Sequence, residues 1–392
     1  MLLSYEFANF QSFLEPTVVD FGLDGKSRLT DWMAVSPAGH ATKLMAVIGP
    51  NASGKTALLK PLAFLSWFAA RSFQSNPDLP IPVAAHFSAP NQPCVFKCTF
   101  VADNRVWRYE LECTPQRVLH EALYLRRERF GYVFVRNWNE STQAYDIKQQ
   151  DFGMAPREAA KVRQNASLIS TAAQYGIPTA QLISSAHVCT NVYVHGRLTM
   201  DDHAVASAAD YFAQAPQQRE QMSRLLAGWD LGLSDVNLIE VPAPTEQNPK
   251  ATRWMPVGGH MTKSGRAVLP FSQESSGTRG AFVLLSLILP ILESGGLAVI
   301  DEFENDLHPL MLEPILDLFS NPQLNPHNAQ MIFSCHAIEV LNLLEKSQVM
   351  LVEKDEQCES TACRLDTVGG IRNDQNFYAK YMAGAYGAVP RL

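Results

Sequence analysis

Long apolar runs are missing from the sequence. Of its 392 residues 46% are hydrophobic. The longest apolar stretch, 281–292, is about half of the roughly 18–20 residues that a membrane-spanning helix needs. It ends in Glu293-Ser294-Gly295-Gly296, which indicates a buried helix. The first residues also lack the basic start and the cleavage site of a signal peptide. We therefore expect a soluble, cytoplasmic protein without a membrane partner.

Cysteine is sparse, and positive charge is in the minority. Neither close pair among the seven cysteines, Cys94 with Cys98 or Cys358 with Cys363, has His or Cys companions at zinc spacing. We expect free thiols in a reducing compartment. The formal net charge of -7 argues against a surface that is positive overall and binds DNA through its general electrostatic field. It does not exclude a local basic patch. Sustained heptads are absent too, which excludes a long coiled coil.

The distribution of apolar residues predicts an α/β fold. Residues 1–23, 93–136 and 236–272 have the pattern of strands. Residues 275–353 alternate helix and strand, an order that implies a parallel sheet with crossover helices. Residues 156–229 are rich in Ala, Gln and Ser, which predicts a helical insertion.

One segment has the spacing of a phosphate-binding loop, or P-loop. It follows an apolar strand at Leu44–Ile48 and opens a helix that should run to about Phe73 with Pro61 inside it. Its residues, which fit G-x-x-x-x-G-K-[ST], are Gly49, Pro50, Asn51, Ala52, Ser53, Gly54, Lys55 and Thr56. The glycines let backbone N–H groups surround phosphate oxygens at the N-terminal end of the helix. Lys55 would reach the β- and γ-phosphates of a nucleotide, and Thr56 would ligate Mg²⁺.

A second apolar strand, Leu297–Ile300, ends in two carboxylates. Asp301 would enter the Mg²⁺ shell, and Glu302 would face the attacking water. Many buried strands end in Asp or Glu at a surface loop, so the pair alone is weak evidence. Its position about 250 residues after the P-loop favours the functional interpretation.

Three further features are ambiguous on their own. Ser275-Ser276-Gly277-Thr278 precedes a helix and fits either a second phosphate cradle or an ordinary Ser/Gly helix cap. His336 ends an apolar strand, where a lone His is usually structural. His308 and Pro309 lie shortly after Glu302 and fit a loop that contacts another subunit and a plain helix-start turn equally well.

Taken in order, these elements resemble the ABC/SMC/RecF class of ATPases. The closer resemblance is to compact bacterial AAA-type ATPases with an ABC-like head, including the ATPase subunits of the PARIS, RloA and AbiL phage-defence systems. It rests on residues 7–13, 274–278, 301–309 and 381–390. It covers about two thirds of the chain and is weakest across 140–230.

The resemblance implies an ABC-type ATPase head: a mixed β-sheet lobe plus a parallel P-loop sheet with crossover helices, and a helical insertion. Residues 1–150 would form the N-terminal half with the P-loop. Residues 151–232 would form the insertion. Residues 233–392 would form the C-terminal half with the signature motif, the Asp-Glu strand and the switch histidine.

The resemblance also implies a nucleotide site shared by two copies of the head. ATP and Mg²⁺ would bind to the P-loop of one head, and the signature residues Ser276, Gly277 and Thr278 of the other would close over the γ-phosphate. His336 would sense the γ-phosphate, and residues 305–309 would contact the opposing subunit. Such proteins form homodimers or larger homo-oligomers.

Three positions depart from the family pattern. Many relatives have a basic residue where Gln11 stands. Thr278 replaces the second glycine of the signature. The glutamine that usually completes the Mg²⁺ shell has no clear counterpart, and Gln92 is the candidate.

No second catalytic constellation is visible in the sequence. The first hypothesis is therefore the ATPase subunit of a bacterial anti-phage defence system that holds or activates a separately encoded toxic effector, such as a nuclease. The alternative is a RecF/SMC-type ATPase of DNA repair or chromosome maintenance, and direct nucleic-acid binding stays open. A transporter's nucleotide-binding subunit is disfavoured by the Glu274–Thr278 signature and by the roughly 220 residues that separate it from the P-loop.

Overall fold

The computed structural model describes residues 1–23, 30–193, 196–199, 201–229, 231–243, 251–305, 307–372 and 375–389. The first strands along the chain are β1 (Leu2–Ala8), β2 (Thr17–Asp20), β3 (Gly22–Leu23), β4 (Met33–Ser36), β5 (Gly39–Thr42), β6 (Leu44–Ile48), β7 (Cys94–Ala102), β8 (Arg105–Cys113), β9 (Val118–Arg126), β10 (Phe130–Asn139) and β11 (Ala144–Gln149). The later strands are β12 (Val188–Thr190), β13 (Val192–Tyr193), β14 (Gly196–Arg197), β15 (Asp235–Pro242), β16 (Thr252–Thr262), β17 (Gly265–Pro270), β18 (Leu297–Ile300), β19 (Gln330–Ser334), β20 (Val349–Lys354) and β21 (Ser360–Arg364). The helices are α1 (Lys55–Arg71), α2 (Pro156–Ala159), α3 (Leu168–Gln174), α4 (Pro178–Ser184), α5 (Asp202–Gln214), α6 (Pro216–Gly228), α7 (Ser276–Ser294), α8 (Leu312–Ser320) and α9 (Phe377–Met382).

The N-terminal part is dominated by an antiparallel sheet in the order β11-β10-β9-β8-β7-β1-β2. Strands were predicted for residues 1–23 and 93–136 and are present there, so that prediction is confirmed; all of them lie in this sheet except β3, which pairs with β5. Its inner face packs on α1 through an aromatic cluster in which the rings of Phe64 and Phe96 are 5.1 Å apart. A fully buried ion pair, Arg136 Nη1 to Glu121 Oε2 at 3.3 Å, joins the neighbouring strands β10 and β9. Arg136 also donates to the carbonyl of Ala166 at 2.8 Å, which leaves neither charge without a partner.

The second sheet has the order β12-β18-β19-β6-β20-β21 and is parallel except at its last pair. Strands β6, β18 and β19 are buried along their whole length, as expected for strands covered on both faces. In β6, Met45 and Val47 face the cluster that contains α1, whereas Leu44 and Ala46 face the cluster that contains α7 and α8. The predicted parallel sheet with crossover helices is confirmed, and it lies between α1 on one face and α7 and α8 on the other.

Helix α7 lies in the core below this sheet. Ser275 caps its start, and Gly295 ends it in the left-handed conformation at φ 73. By length and composition alone, α7 would be able to cross a membrane. However, 61% of its apolar window is buried inside the protein. The buried helix expected at residues 281–292 is therefore present.

The segment 151–232, expected as a helical insertion, is divided between two faces of the molecule. Helices α3 and α4 pack on α1, and α5 and α6 pack on α7. Between them, β12 pairs in parallel with β18 and so belongs to the central sheet. This strand has only three residues and lies in a stretch of sequence rich in small polar side chains. It is too short to show the alternation of apolar and polar residues that predicts a strand.

Candidate functional site

The P-loop connects the carboxyl end of β6 to the start of α1. In register, Ile300 of β18 is opposite Phe333 of β19, which is opposite Ala46 of β6. The residues after these three parallel strands therefore meet at one edge of the sheet, where α/β proteins bind ligands. Of the loop glycines, Gly54 has a φ of 113, a left-handed conformation that favours glycine.

Close packing against the C-terminal strands also requires the loop glycines. A Cβ on Gly49 would lie 2.1 Å from the carbonyl oxygen of Val352. A Cβ on Gly54 would lie 2.6 Å from the hydroxyl of Ser360. The hairpin β20–β21 thus forms a wall beside the P-loop.

A cavity of about 560 Å³ lies in front of the loop. Its walls are formed by Gln11, Ser12, the P-loop residues Asn51 to Thr56, Ala57, Asp301, Glu302, His336 and Lys354. The structure therefore brings together the P-loop, the carboxylate pair and the switch histidine that the sequence predicted. Gly49 and Pro50 do not line the cavity, although both belong to the predicted loop.

Lys55 is held at the base of the cavity. Its Nζ donates to the carbonyls of Gly49 at 2.8 Å and Pro50 at 2.9 Å, and lies 3.5 Å from His336 Nδ1. Burial lowers the pKa of Lys55, and the charge of Asp301 opposes that shift. Two backbone carbonyls thus pre-orient a cation that would otherwise be poorly solvated.

Asp301 is fixed on both its side chain and its main chain. Its Oδ2 accepts a hydrogen bond from the Thr56 hydroxyl at 2.9 Å, and its Oδ1 accepts one from Ser334 at 2.5 Å. The buried Asn191 amide binds the main chain of Asp301 twice, at 2.7 and 2.9 Å. The Asp301 carboxylate and the Thr56 hydroxyl, the two predicted Mg²⁺ ligands, are therefore adjacent.

Glu302 and His336 lie at the same edge of the parallel sheet and line the cavity. Glu302 has a φ of 50, and its N–H donates to Ser334 Oγ at 2.8 Å. Its carboxylate pairs with Arg197. The His336 N–H donates to Glu304 Oε1 at 2.5 Å, which fixes the backbone at the end of β19.

The signature residues lie away from this cavity. The Ser275 hydroxyl accepts the N–H of Thr278 at 3.1 Å, and the Thr278 side chain is buried. Ser276 is exposed, and Gly277 is half-buried. The segment therefore caps α7 within its own chain and leaves the first turn of the helix open.

A histidine contacts Glu274, the first residue of the signature segment 274–278. His260 Nε2 lies 2.8 Å from Glu274 Oε1, and His260 Nδ1 lies 2.9 Å from the carbonyl of Gly232. Because both ring nitrogens face acceptors, the charged imidazole is favoured. The hydrogen bond to Glu274 raises the pKa of His260.

Other predicted positions have mixed placements. Gln11 lines the cavity, whereas Gln92 is exposed and lies outside it. The His308 ring accepts the N–H of Leu310 at 3.3 Å, as in a helix-start turn. Asp306, within the loop expected to contact a second subunit, lies outside the described residues.

Sequence reasoning missed four residues of the site: Asn191, Ser334, Lys354 and Ser360. Asn191 and Ser334 hold Asp301, and Lys354 adds a second lysine to the cavity wall. Ser334 stands two residues before His336 in the predicted strand, which was a usable signal. The other three become visible only through the order of strands in the sheet.

No curated protein sequence matches the chain. Among solved structures it is similar to an SMC head domain from Thermotoga maritima, with 14% identity, a TM-score of 0.44 and coverage of 93% of this chain and 98% of that one. It is also similar to an Smc head domain with an extended coiled coil bound to the C-terminal domain of ScpA, from Pyrococcus furiosus. That match has 11% identity, a TM-score of 0.47 and coverage of 93% and 97%.

A protein-family profile gives the decisive match. The family is described as "AAA domain, putative AbiEii toxin, Type IV TA system", and its profile matches residues 44–342, from the P-loop strand to beyond the switch histidine. The match covers more than half of the chain, and the chain therefore belongs to this family of AAA domains.

Proposed function

We propose that this protein binds and hydrolyses ATP in a site completed by a second copy of itself. The observation that carries the proposal is the convergence of Lys55, Thr56, Asp301, Glu302 and His336 on one cavity. The P-loop and the start of α1 supply N–H donors for phosphate oxygens, and Lys55 supplies positive charge. These groups bind and orient a triphosphate.

The donor set at the base of the cavity fits Mg²⁺. A hydroxyl and a carboxylate oxygen are ligands that Mg²⁺ accepts, and Thr56 and Asp301 already lie within hydrogen-bond distance of each other. No group of three His, Cys, Asp or Glu side chains among the described residues could hold a metal by itself. Bound there, Mg²⁺ would neutralise charge on the phosphate oxygens.

Glu302 is the residue that acts on water in this proposal. It lies at the cavity wall beside Asp301, where its carboxylate accepts a hydrogen bond from the attacking water and polarises it. His336, 3.5 Å from the Lys55 ammonium through its Nδ1, is placed to contact the γ-phosphate. Loss of the γ-phosphate removes that contact, so His336 distinguishes ATP from ADP.

The open first turn of α7 supports the shared site. Ser276 is exposed and lies outside the cavity of its own chain, so a second head must supply it to the nucleotide. ATP then holds two heads together, and hydrolysis releases them. Only the ATP state offers the bridging contacts, so the nucleotide drives the change in assembly.

Mixing two inactive variants tests this arrangement. Ser276→Arg blocks the signature and Lys55→Ala disables the P-loop, so each protein alone should hydrolyse no ATP. A mixed dimer contains one intact composite site, and we expect partial recovery of activity. Mass measurement of the mixture verifies that heterodimers form; heterodimers without recovered activity would contradict the shared site.

The biological role we propose is anti-phage defence, in which ATP-dependent pairing holds or activates a separately encoded toxic effector such as a nuclease. The family description, which names a putative toxin of a Type IV toxin–antitoxin system, supports a link to such systems by analogy, and the separate effector is our inference from the sequence. The chain's recognised chemistry is confined to nucleotide handling, so a partner must supply the toxic activity.

Expression in cells tests the defence role. The chain alone should give neither phage protection nor toxicity, and co-expression with its neighbouring gene should give both. Lys55→Ala should remove both effects. Full protection in a strain without any neighbouring gene would instead favour direct action on nucleic acid, as in the repair-type ATPases.

A further inference from the structure

Arg197 contacts the water-activating carboxylate from outside the nucleotide cavity. Its guanidinium pairs with Glu302 Oε2. Glu302 lines the cavity, whereas Arg197 does not. The guanidinium therefore contacts Glu302 without being part of the cavity wall.

The segment that carries Arg197 is attached to the strand of the carboxylate pair. β12 pairs with β18, and Asn191, directly after β12, binds the main chain of Asp301. The short hairpin β13–β14 follows and ends in Arg197. Two contacts from this one segment thus reach two consecutive residues, Asp301 through its main chain and Glu302 through its side chain.

Glu302 needs such a contact because its own backbone does not fix the carboxylate. Its left-handed φ of 50 is unfavourable for a side chain with a Cβ, and the N–H bond to Ser334 holds the main chain only. The Glu302 side chain is 39% exposed, so without a partner it would sample several rotamers. Arg197, 24% exposed, selects one of them.

We propose that Arg197 is a positioning residue for ATP hydrolysis: it holds Oε2 of Glu302 so that Oε1 faces the attacking water. This inference rests on the proposed role of Glu302. It assigns a function in hydrolysis to residues 188–193 and 196–199, which lie in the chain between helices that pack on different faces of the molecule.

The test is steady-state and single-turnover hydrolysis by full-length Arg197→Ala and Arg197→Lys proteins. A small misplacement of a reacting group costs up to roughly 100-fold in rate, so we expect kcat of Arg197→Ala to fall roughly 10- to 100-fold. The dissociation constant for ATP should stay within roughly twofold, because Arg197 does not line the cavity. Arg197→Lys keeps the charge without the planar guanidinium and should recover part of the rate.

Arg224→Ala is the matched control. Arg224 lies on α6 in the same insertion, and its side chain is 72% exposed beside Glu220. Its loss should leave kcat and the melting temperature unchanged. An Arg197→Ala protein with wild-type or higher kcat overturns the proposal, and so does a fall in kcat with an equal loss of ATP binding or without any rescue by lysine.

Glu302→Gln separates this inference from the function on which it rests. If Glu302→Gln hydrolyses ATP at the wild-type rate, the role of Glu302 fails, and that of Arg197 fails with it. If Glu302→Gln is inactive while Arg197→Ala is fully active, only the role of Arg197 fails. In single-turnover assays, adding Arg197→Ala to Glu302→Gln should lower the residual rate no further, because both changes remove one function.

Discussion

The two loops for which we propose phosphate contacts are held in opposite ways. The P-loop is enclosed: Val352 packs against Gly49, Ser360 packs against Gly54, and the Lys55 ammonium binds two loop carbonyls. The signature segment is held through its first two residues: Glu274 pairs with His260, and Ser275 caps the helix. Ser276, at its front, is exposed.

Under the proposed function, this difference separates nucleotide binding from the pairing of heads. We expect the pre-formed P-loop to bind nucleotide within one chain without rearrangement, because its donors are already oriented. An open signature gains partners only when another surface meets it. Affinity for ATP and pairing of heads should therefore respond to different mutations.

The largest expected effect is on ATP binding by the single chain. Lys55→Ala removes a charged donor to the phosphates, and charge-assisted hydrogen bonds contribute about 1.5–3 kcal/mol each, so the dissociation constant should rise roughly 100-fold or more. Ser276→Arg should change it by less than roughly twofold, because the residue is exposed outside the cavity. Calorimetric titration at concentrations where the protein is monomeric measures both. Equal losses in the two variants would erase the distinction between the loops.

An intermediate effect is expected from crowding of the P-loop. Gly54→Ala and Gly265→Ala both place a Cβ on a residue with positive φ, 113 and 119 respectively, which costs about 1–3 kcal/mol in each. At Gly265 nothing lies within 4 Å of the new Cβ, whereas at Gly54 the Ser360 hydroxyl lies 2.6 Å away. Overpacking should therefore lower the free energy of unfolding of Gly54→Ala by about 1–3 kcal/mol more. Only Gly54→Ala should also weaken ATP binding.

Urea denaturation and nucleotide titration compare these two glycine variants directly. Equal stability losses would show that the hairpin β20–β21 yields to the added methyl group. The P-loop would then be less rigid than its packing indicates.

The smallest expected effect concerns the contact between His260 and Glu274. The folded pKa of His260 is raised by Glu274, so the charged pair stabilises the protein fully below the unfolded His pKa of about 6.5. That stabilisation is lost as pH rises through the raised folded pKa. Below the unfolded His pKa, the free energy of unfolding of wild type should be greater than that of His260→Gln by less than about 1 kcal/mol. Above the raised folded pKa of His260, the two proteins should be equally stable.

Melting temperatures of wild type and His260→Gln across this pH range provide the measurement. Nucleotide binding by the single chain should be the same in both proteins at every pH. A difference in stability that grows with pH has the wrong sign for a charged His260 and would contradict the assignment.

The sequence predicted the parts of the site that are local in the chain. The P-loop is contiguous, Asp301 and Glu302 end a recognisable buried strand, and His336 ends another. Each lies at a strand end, and the parallel arrangement places those ends together. The antiparallel sheet was equally visible because its strands follow one another as hairpins.

The missed residues depend on contacts that the sequence does not encode locally. Asn191 reaches Asp301 across 110 residues, from the end of a three-residue strand. Lys354 lines the cavity only because β20 pairs with β6. Gln92 was chosen by residue type alone, and its loop lies outside the cavity. Pairing between distant strands, which decides these cases, has no periodic signature.

The meeting of the two chain ends beside the P-loop has a consequence for biosynthesis. The Ser360 hydroxyl lies 2.7 Å from the carbonyl of Ser53 and 2.8 Å from the hydroxyl of Ser12, 348 residues earlier in the chain. At a translation rate of roughly 5–20 residues per second, the P-loop leaves the ribosome roughly 15–60 s before Ser360 does. During that interval the loop lacks the wall that β20–β21 forms, so we expect the P-loop to reach its packed form only after Ser360 has been synthesised. ATP bound at the proposed site would contribute to folding only from that point on.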